Sequence, residues 1–431
     1  MIRMKRLLFI SLIAILTLSS CGVYKKYEDT AVAGADSSVA TLPSWREFFD
    51  DPLLRELIDS AITGNTSLSV AALRLKQADE SLRAAKLAYV PSLFLEPNGG
   101  LLVQGGQATA SYQLPLEIKW NFGSPGTLFA RRHQAQARRI QAEDNRAAVQ
   151  NELISRIATD YYMLQMLDEQ VEVLENTIAV WTRTLDIQRE YMLSGRAYYS
   201  SVAQMESKLL DAKQDLLQAR ADIAVWERTI CLLMAKPHCS IPRSKSGTCP
   251  EPELLETGVN LSLLSSRPDV RAAQRDMEIA YYLTSEARSA FYPSINLNGG
   301  FGWPTVVNAA LSLVQPIFAN GSLRSRLNVS EMDQEIAKLQ FNQTLLQAAT
   351  EVSQAMSDYK LHSEKAELYS RQAAIQEKAC KNVEEISRDG KANYLELIKA
   401  QEKLLSAQLG KAQSRYNTRE AAVRLYKALG M

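Results

Sequence analysis

The sequence predicts a mostly helical protein made of a duplicated unit, with a small β part in each copy. Three observations carry this expectation. Two segments about 200 residues apart share the same residue pattern. Apolar residues recur with a mean spacing of 3.5 across long stretches that contain neither Pro nor Gly. Shorter segments ahead of those stretches alternate apolar and polar residues, the period of a strand with one oily face.

In chain order, the first twenty residues belong to export. Arg3, Lys5 and Arg6 precede a 12-residue apolar stretch, Leu7 to Leu18, which suits a signal h-region and is short for a membrane span. Leu18-Ser19-Ser20-Cys21 resembles a bacterial lipobox. Cleavage before Cys21 would leave it diacylglyceryl-modified and N-acylated, and several acyl chains anchor stably where one does not. The alternative is ordinary cleavage with Cys21 as a bystander. On the lipobox reading, residues 21–41 form a lipid-anchored segment, and the mature chain keeps 46 basic against 48 acidic residues.

The first repeat is expected over 42–247 and the second over 248–431. Ala85-Lys86-Leu87-Ala88-Tyr89-Val90-Pro91-Ser92-Leu93 matches Ala287-Arg288-Ser289-Ala290-Phe291-Tyr292-Pro293-Ser294-Ile295, and Ser194-Gly195-Arg196-Ala197-Tyr198-Tyr199 matches Asp389-Gly390-Lys391-Ala392-Asn393-Tyr394. Each copy opens with a helix, over about 65–89 and 268–290, that ends at a Pro. Two strands follow, near 92–122 and 294–318. In the first pair Tyr112, Leu114, Leu116, Ile118, Trp120 and Phe122 are apolar while Ser111, Gln113, Glu117, Lys119 and Asn121 are polar. Ile295, Leu297, Phe301 and Trp303 repeat the alternation. Pro115 and Pro316 are expected at edges or bends. A soluble sheet would share this pattern, so alternation alone names no membrane barrel.

Helical hairpins follow, over 127–236 and 322–430. Leu164, Leu167, Val171, Leu174, Ile178, Trp181 and Leu185 form one seam, answered by Val202, Met205, Leu209, Ala212, Leu216 and Ala219 after the turn. From Thr127 to Leu193 one helix of 67 residues is allowed, roughly 100 Å at 1.5 Å per residue. Ser322 to Asp389 is equally free of Pro and Gly. The second seam, through Val352, Met356, Tyr359, Tyr369, Cys380 and Val383, is interrupted by His362 and Gln376.

Composition narrows the function. With 49 Lys+Arg against 48 Asp+Glu there is no polybasic field for nucleic acid, and 46% hydrophobic residues exclude general disorder. No run of 18 apolar residues offers a helical span. No nucleotide-binding Gly loop, nucleophile elbow or HExxH-type motif points to an enzyme, and no cofactor is implied. Cys239 and Cys249 flank a Pro/Ser/Gly segment and are the expected disulfide in an exported protein. A zinc site with His238 lacks the CxxC spacing, so no metal is expected. Cys231 and Cys380 read as small buried hydrophobes.

The chain resembles the outer-membrane efflux proteins, the TolC-like channels, and among them the lipoprotein factors that serve RND-type pumps. The residues that carry this are the paired helix ends Tyr89-Val90-Pro91-Ser92 and Phe291-Tyr292-Pro293-Ser294, the Gly195 and Gly390 turns, and the strand-to-helix passages Gly126-Thr127-Leu128 and Gly321-Ser322-Leu323. The resemblance implies a homotrimer in which each protomer gives four strands to a 12-stranded transmembrane β-barrel, while the coiled-coil helices form an α-barrel tunnel in the periplasm. It implies an equatorial belt from 42–62, 236–266 and the C-terminal turns. It implies passive conduction, with a periplasmic adaptor and an inner-membrane pump as partners. The other reading is a structural or adhesive envelope lipoprotein that uses its coiled coils as a spacer.

Site residues follow from the same resemblance. The tips that meet the adaptor map to Leu193, Ser194, Gly195, Arg196 and Ala197, and to Arg388, Asp389, Gly390, Lys391 and Ala392. The family carries acidic residues six and nine positions after the second Gly turn, at the tunnel mouth. Here those positions hold Glu396 and Lys399, a departure at the second, and the pair lies on one helix face within reach of an ion pair. The first copy has Ser201 at the position of Glu396.

Overall fold

The computed structural model describes residues 24–28, 44–104, 107–245, 261–303, 306–388 and 394–430. Helices α1 (Trp45–Phe48), α2 (Pro52–Gly64) and α3 (Thr66–Leu87) lead into β1 (Ser92–Leu95), β2 (Asn98–Gln104) and β3 (Gln107–Gly123). The first hairpin is α4 (Thr127–Leu193) with α5 (Tyr199–Leu233). After α6 (Leu261–Ser266) and α7 (Pro268–Ser289), the second copy gives β4 (Ser294–Trp303), β5 (Val306–Val314), α8 (Ser322–Arg388) and α9 (Tyr394–Ala428). Both long helices run 67 residues and both return helices 35, so the duplication holds element by element.

The chain packs as two compact units, each drawing on both copies. One contains the described part of 1–35 with 71–146 and 268–346; the other contains the described part of 36–70, 147–267 and 347–431.

The first unit holds the sheet, ordered β1/β2–β3–β4–β5 and antiparallel throughout. β1 and β2 both pair with β3, from Ser92↔Lys119 to Leu95↔Leu116 and from Asn98↔Gln113 to Gln104↔Gln107, so they are one interrupted strand. Of the edge or bend expected for it, Pro115 does not take the edge: it sits inside a central strand opposite Gly302 of β4. It is tolerated because the β1/β2 ladder is interrupted beside it, where Glu96 N–H still donates to the Pro115 carbonyl at 3.2 Å. β5 ends at Val314, so Pro316 falls just beyond the sheet. Small residues let α7 approach α8: Thr284 Oγ1 donates to the Ser330 carbonyl at 2.9 Å, and Ser285, Ser289 and Ser330 are buried. Residues 24–28 lie against α7, where Tyr27 N–H reaches the Tyr282 hydroxyl (3.3 Å) and the Tyr281 hydroxyl donates to the Lys25 carbonyl (3.2 Å).

The second unit has a core around the middle of α4. Ile154, Ile157, Tyr161 and Leu164 are fully enclosed, packed by Phe49, Leu54 and Ile58 from the start of the chain, Ile230 of α5, and Val423 and Tyr426 near the end of α9. Asp51 begins α2 by accepting from Leu53 N–H (2.9 Å), and the same carboxylate takes the hydroxyls of Tyr161 (2.7 Å) and Ser244 (2.6 Å). Arg243 is held by Asp168 and by Glu227 (2.6 Å), which raise its guanidinium further above its ordinary range. These bonds fasten the segment after α5 onto α4.

The seams follow the predicted spacing in the first copy: Leu164, Leu167, Leu174, Trp181 and Leu185 of α4 and Val202, Met205, Leu209, Ala212 and Ala219 of α5 are buried. The second seam is narrower. Ala348, Val352, Ala355, Ala373 and Cys380 fill it, whereas Tyr369 is 40% exposed. Its ring packs against Gly410 of α9, where a Cβ would come within 3.0 Å of Tyr369 Cε1 and 3.1 Å of Cδ1.

The cysteines correct the sequence reading. Cys239 is bonded to Cys231, not to Cys249, which lies outside the described residues. The helix cap explains the pairing. Ala235 takes φ 55°, Lys236 N–H bonds the Cys231 carbonyl (2.9 Å), and the chain doubles back to bring the two Cα atoms 5.9 Å apart, within the range of a bridge. Peptide mapping of the non-reduced protein should therefore recover Cys231 linked to Cys239; a Cys239–Cys249 link would count against this arrangement.

Candidate functional site

The register of the sheet gathers most of its apolar residues on one face, Phe94 being an exception. Leu93 and Leu95 stand opposite Ile118 and Leu116; Leu116 and Trp120 stand opposite Phe301 and Leu297; Leu297 and Phe301 stand opposite Leu311 and Val307. In the single chain this face is open. Leu93, Tyr112, Phe301, Val307 and Leu311 are 62–72% exposed. The opposite face is polar: Lys119 Nζ lies 2.8 Å from both Glu96 and Glu117 and 4.9 Å from the Phe94 ring centroid. Both outer edges, β1/β2 and β5, have one neighbour only among the described residues.

The first hairpin tip is a closed cap. Gly195 N–H bonds the Met192 carbonyl (3.0 Å) and Arg196 N–H the Tyr191 carbonyl (2.8 Å), with Gly195 at φ 74°. This is the paired bonding of a helix ending in a left-handed residue. A Cβ at Gly195 would meet nothing within 4 Å, so the backbone angle alone selects glycine. Ser194 Oγ returns to the Tyr191 carbonyl (3.0 Å), and Ser201 Oγ to the Tyr198 carbonyl (2.7 Å) where α5 begins. Leu193, Tyr198 and Tyr199 stand out at 84%, 85% and 76% exposure. Arg388 ends α8, while Asp389, Gly390, Lys391 and Ala392 lie outside the described residues.

Glu396 occupies the first turn of α9, where a negative charge suits the helix dipole. It and Lys399 are exposed, and no ion pair joins them within the chain among the described residues. Ile398, between them, is buried against Trp181, Leu185, Val202 and Met205, and Lys208 of α5 reaches Glu402 at 3.4 Å. The start of α9 is thus fixed to the first hairpin by its other face.

The outer membrane efflux protein family matches residues 57–235 and 261–431, most of the chain. The chain belongs to that family. Among its relatives, the probable outer membrane lipoprotein SilC of Salmonella typhimurium is 22% identical over 90% of this chain and 87% of its own length. The solvent efflux pump outer membrane protein SrpC of Pseudomonas putida is 24% identical over 97% and 96%. The crystal structure of CusC superposes with a TM-score of 0.86 at 21% identity, over 94% of this chain and 99% of that one. The fold is that of the TolC-like channels.

Within this outer membrane efflux protein, the described site residues fall at the first hairpin tip, at Arg388 ending α8, at the start of α9 and, for Cys239, after α5. Cys21 lies outside the described residues. Tyr198 and Tyr199 were not singled out as tip residues, although two adjacent aromatics just after a Gly turn cannot both turn inward. Cys380 is the one free cysteine among the described residues. It is buried and donates to Glu384 at 3.6 Å, and burial with that neighbouring charge pushes its thiol up to about 11, so it stays protonated at neutral pH. Replacing Gly195 with Val should cost about 1–2 kcal/mol through its left-handed backbone. The loss should be confined to the tip, because the added side chain has open space. Hydrogen exchange should show faster exchange at Gly195 and Arg196 with α4 near Ile157 unchanged; a global change would place the tip inside the cooperative core.

Proposed function

We propose that this chain is the outer-membrane channel of a tripartite efflux system, a homotrimer tethered through lipid on Cys21 and reaching into the periplasm. The observation that carries the proposal is the sheet: an open apolar face, a polar face bearing Lys119, Glu96 and Glu117, and two edges with no outer neighbour among the described residues. Backbone groups left at an edge have no water to turn to in hydrocarbon, so such a sheet is stable there only when closed on itself. One chain's four strands, counting β1 and β2 as one, are too few. Three copies supply 12 in a closed barrel, with the apolar face towards lipid and the polar face towards the pore.

The channel conducts and performs no covalent chemistry. An inner-membrane pump supplies the energy, and a periplasmic adaptor seats on the tips: Leu193 to Ala197 with Tyr198 and Tyr199 on one hairpin, Arg388 to Ala392 on the other. CusC is named for cation efflux and SrpC for solvent efflux, yet both align with most of this chain at similar identity. Cargo is therefore set by the pump rather than by the passage. Purified trimers in a planar bilayer should open discrete conductance steps, whereas well-folded trimers that pass no current would favour an envelope spacer.

Three copies of Glu396 ring the periplasmic mouth in this assembly. Exposed and not paired with Lys399 of its own chain, each presents a carboxylate to the passage, which favours cations. Glu396→Gln should lower cation preference, read as a smaller reversal potential in a salt gradient. Equal selectivity of the two trimers would remove Glu396 from the mouth.

A further inference from the structure

At the junction where β3 passes into α4 there is a cavity of about 520 Å³, within the roughly 300–1,000 Å³ of small-ligand sites. Its walls are Phe122 at the end of β3, Ile295 at the start of β4, Leu128 and Phe129 in the first turn of α4, and Tyr89 after α3. Tyr24 closes one side, its ring 5.8 Å from that of Phe129. The wall is mainly apolar, its polar tips being the hydroxyls of Tyr24 and Tyr89, and the Ser124 hydroxyl is spent on the Tyr292 carbonyl at 2.9 Å. Phe122 and Ile295 nonetheless keep 37% and 36% exposure, so the chain by itself leaves this surface uncovered.

Covalent connection points to the occupant. Tyr24 is three residues after Cys21, and three residues span at most about 11 Å. The lipid-bearing sulfur and amino group of Cys21 are therefore held within that distance of a residue of the cavity wall. The hydrogen bonds of Lys25 and Tyr27 to Tyr281 and Tyr282 fix the following residues on α7, so the tether starts from a set point. The cavity also lies at the end of the sheet from which the helices leave, which in the barrel proposed above is the periplasmic end, facing the leaflet that the anchor would enter.

We infer that this cavity is the seat of one of the acyl chains on Cys21, so that the anchor packs into its own protein as well as into the bilayer. The inference rests on the lipid attachment proposed above. A seated chain would orient the N-terminal segment and seal the strand-to-helix junction, and the remaining chains would hold the bilayer.

The test uses the full chain in cells fed a diazirine fatty acid. After irradiation, peptide mapping should find the lipopeptide containing Cys21 cross-linked to the segment Phe122–Phe129 or to Tyr89. Leu128→Trp, which fills the cavity, should lose that cross-link while Cys21 remains acylated, and Ile295→Trp should do the same from the opposite wall. Labelled lipid on Cys21 with cross-links only outside the cavity would overturn the seat and leave the anchor standing. A bare Cys21 would overturn both. Adducts of free phospholipid on the cavity residues, found equally in a Cys21→Ala chain exported through a non-lipoprotein signal, would assign the cavity to a bilayer lipid and remove the anchor from it.

Discussion

A helix of 67 residues is not maintained by its own hydrogen bonds; in water it persists only where a stripe along it is buried. The rest of this structure depends on that burial. In the first copy the stripe is large and nearly continuous, from Ile154 to Leu185, and it is met by α5 through Val202, Met205 and Leu209. Where the stripe runs out beyond Leu185, α4 ends within three turns, and a glycine in the left-handed region turns the chain back. The position of the tip is thus a consequence of where the seam stops.

The second copy solves the same problem with smaller side chains. Ala348, Ala355 and Ala373 replace bulky knobs, and Gly410 leaves room for the ring of Tyr369. Burying small residues gains less per residue from water but permits closer helices. The two hairpins are therefore alike in length and unlike in grip. A duplicated chain that assembles around an axis needs like lengths to make a level end, and nothing requires the two seams to be equally strong.

Much of this was legible in the sequence because it is periodic. The 3.5 spacing of Leu164 to Leu185 located the seam, the absence of Pro and Gly bounded α4 at both ends, and the alternation of Tyr112 to Phe122 gave the facing of β3. What was not legible depends on neighbours distant in sequence or on caps without a signature. Ala235 takes a left-handed angle usually marked by Gly, so the reversal that unites Cys231 with Cys239 left no trace in the residue pattern. Pro115 suits an edge or a bend, and its own neighbours in sequence do not reveal that its partner strand breaks at Glu96 and Pro97. At the tip, spacing located Gly195 but was silent on Tyr198 and Tyr199, whose exposure is decided by the direction in which α5 sets out.

The ring cluster of Phe48, Phe49 and Tyr426 has a consequence for how the molecule comes into being. Its centroids lie 4.8–5.5 Å apart, yet its members come from opposite ends of the described chain. Contacts so distant in sequence form late, because the loop entropy they cost is lost before they repay it. Synthesis proceeds from the N-terminus, so the residues that pack with Tyr426 stay open until almost the last turn of α9 has been made. Leu54, Ile58 and Ile157 are in the meantime an unfinished core, sticky to other chains in the same state. A holding chaperone would have its greatest effect in that interval, and truncating the last turns would harm the yield of folded protein more than their size suggests.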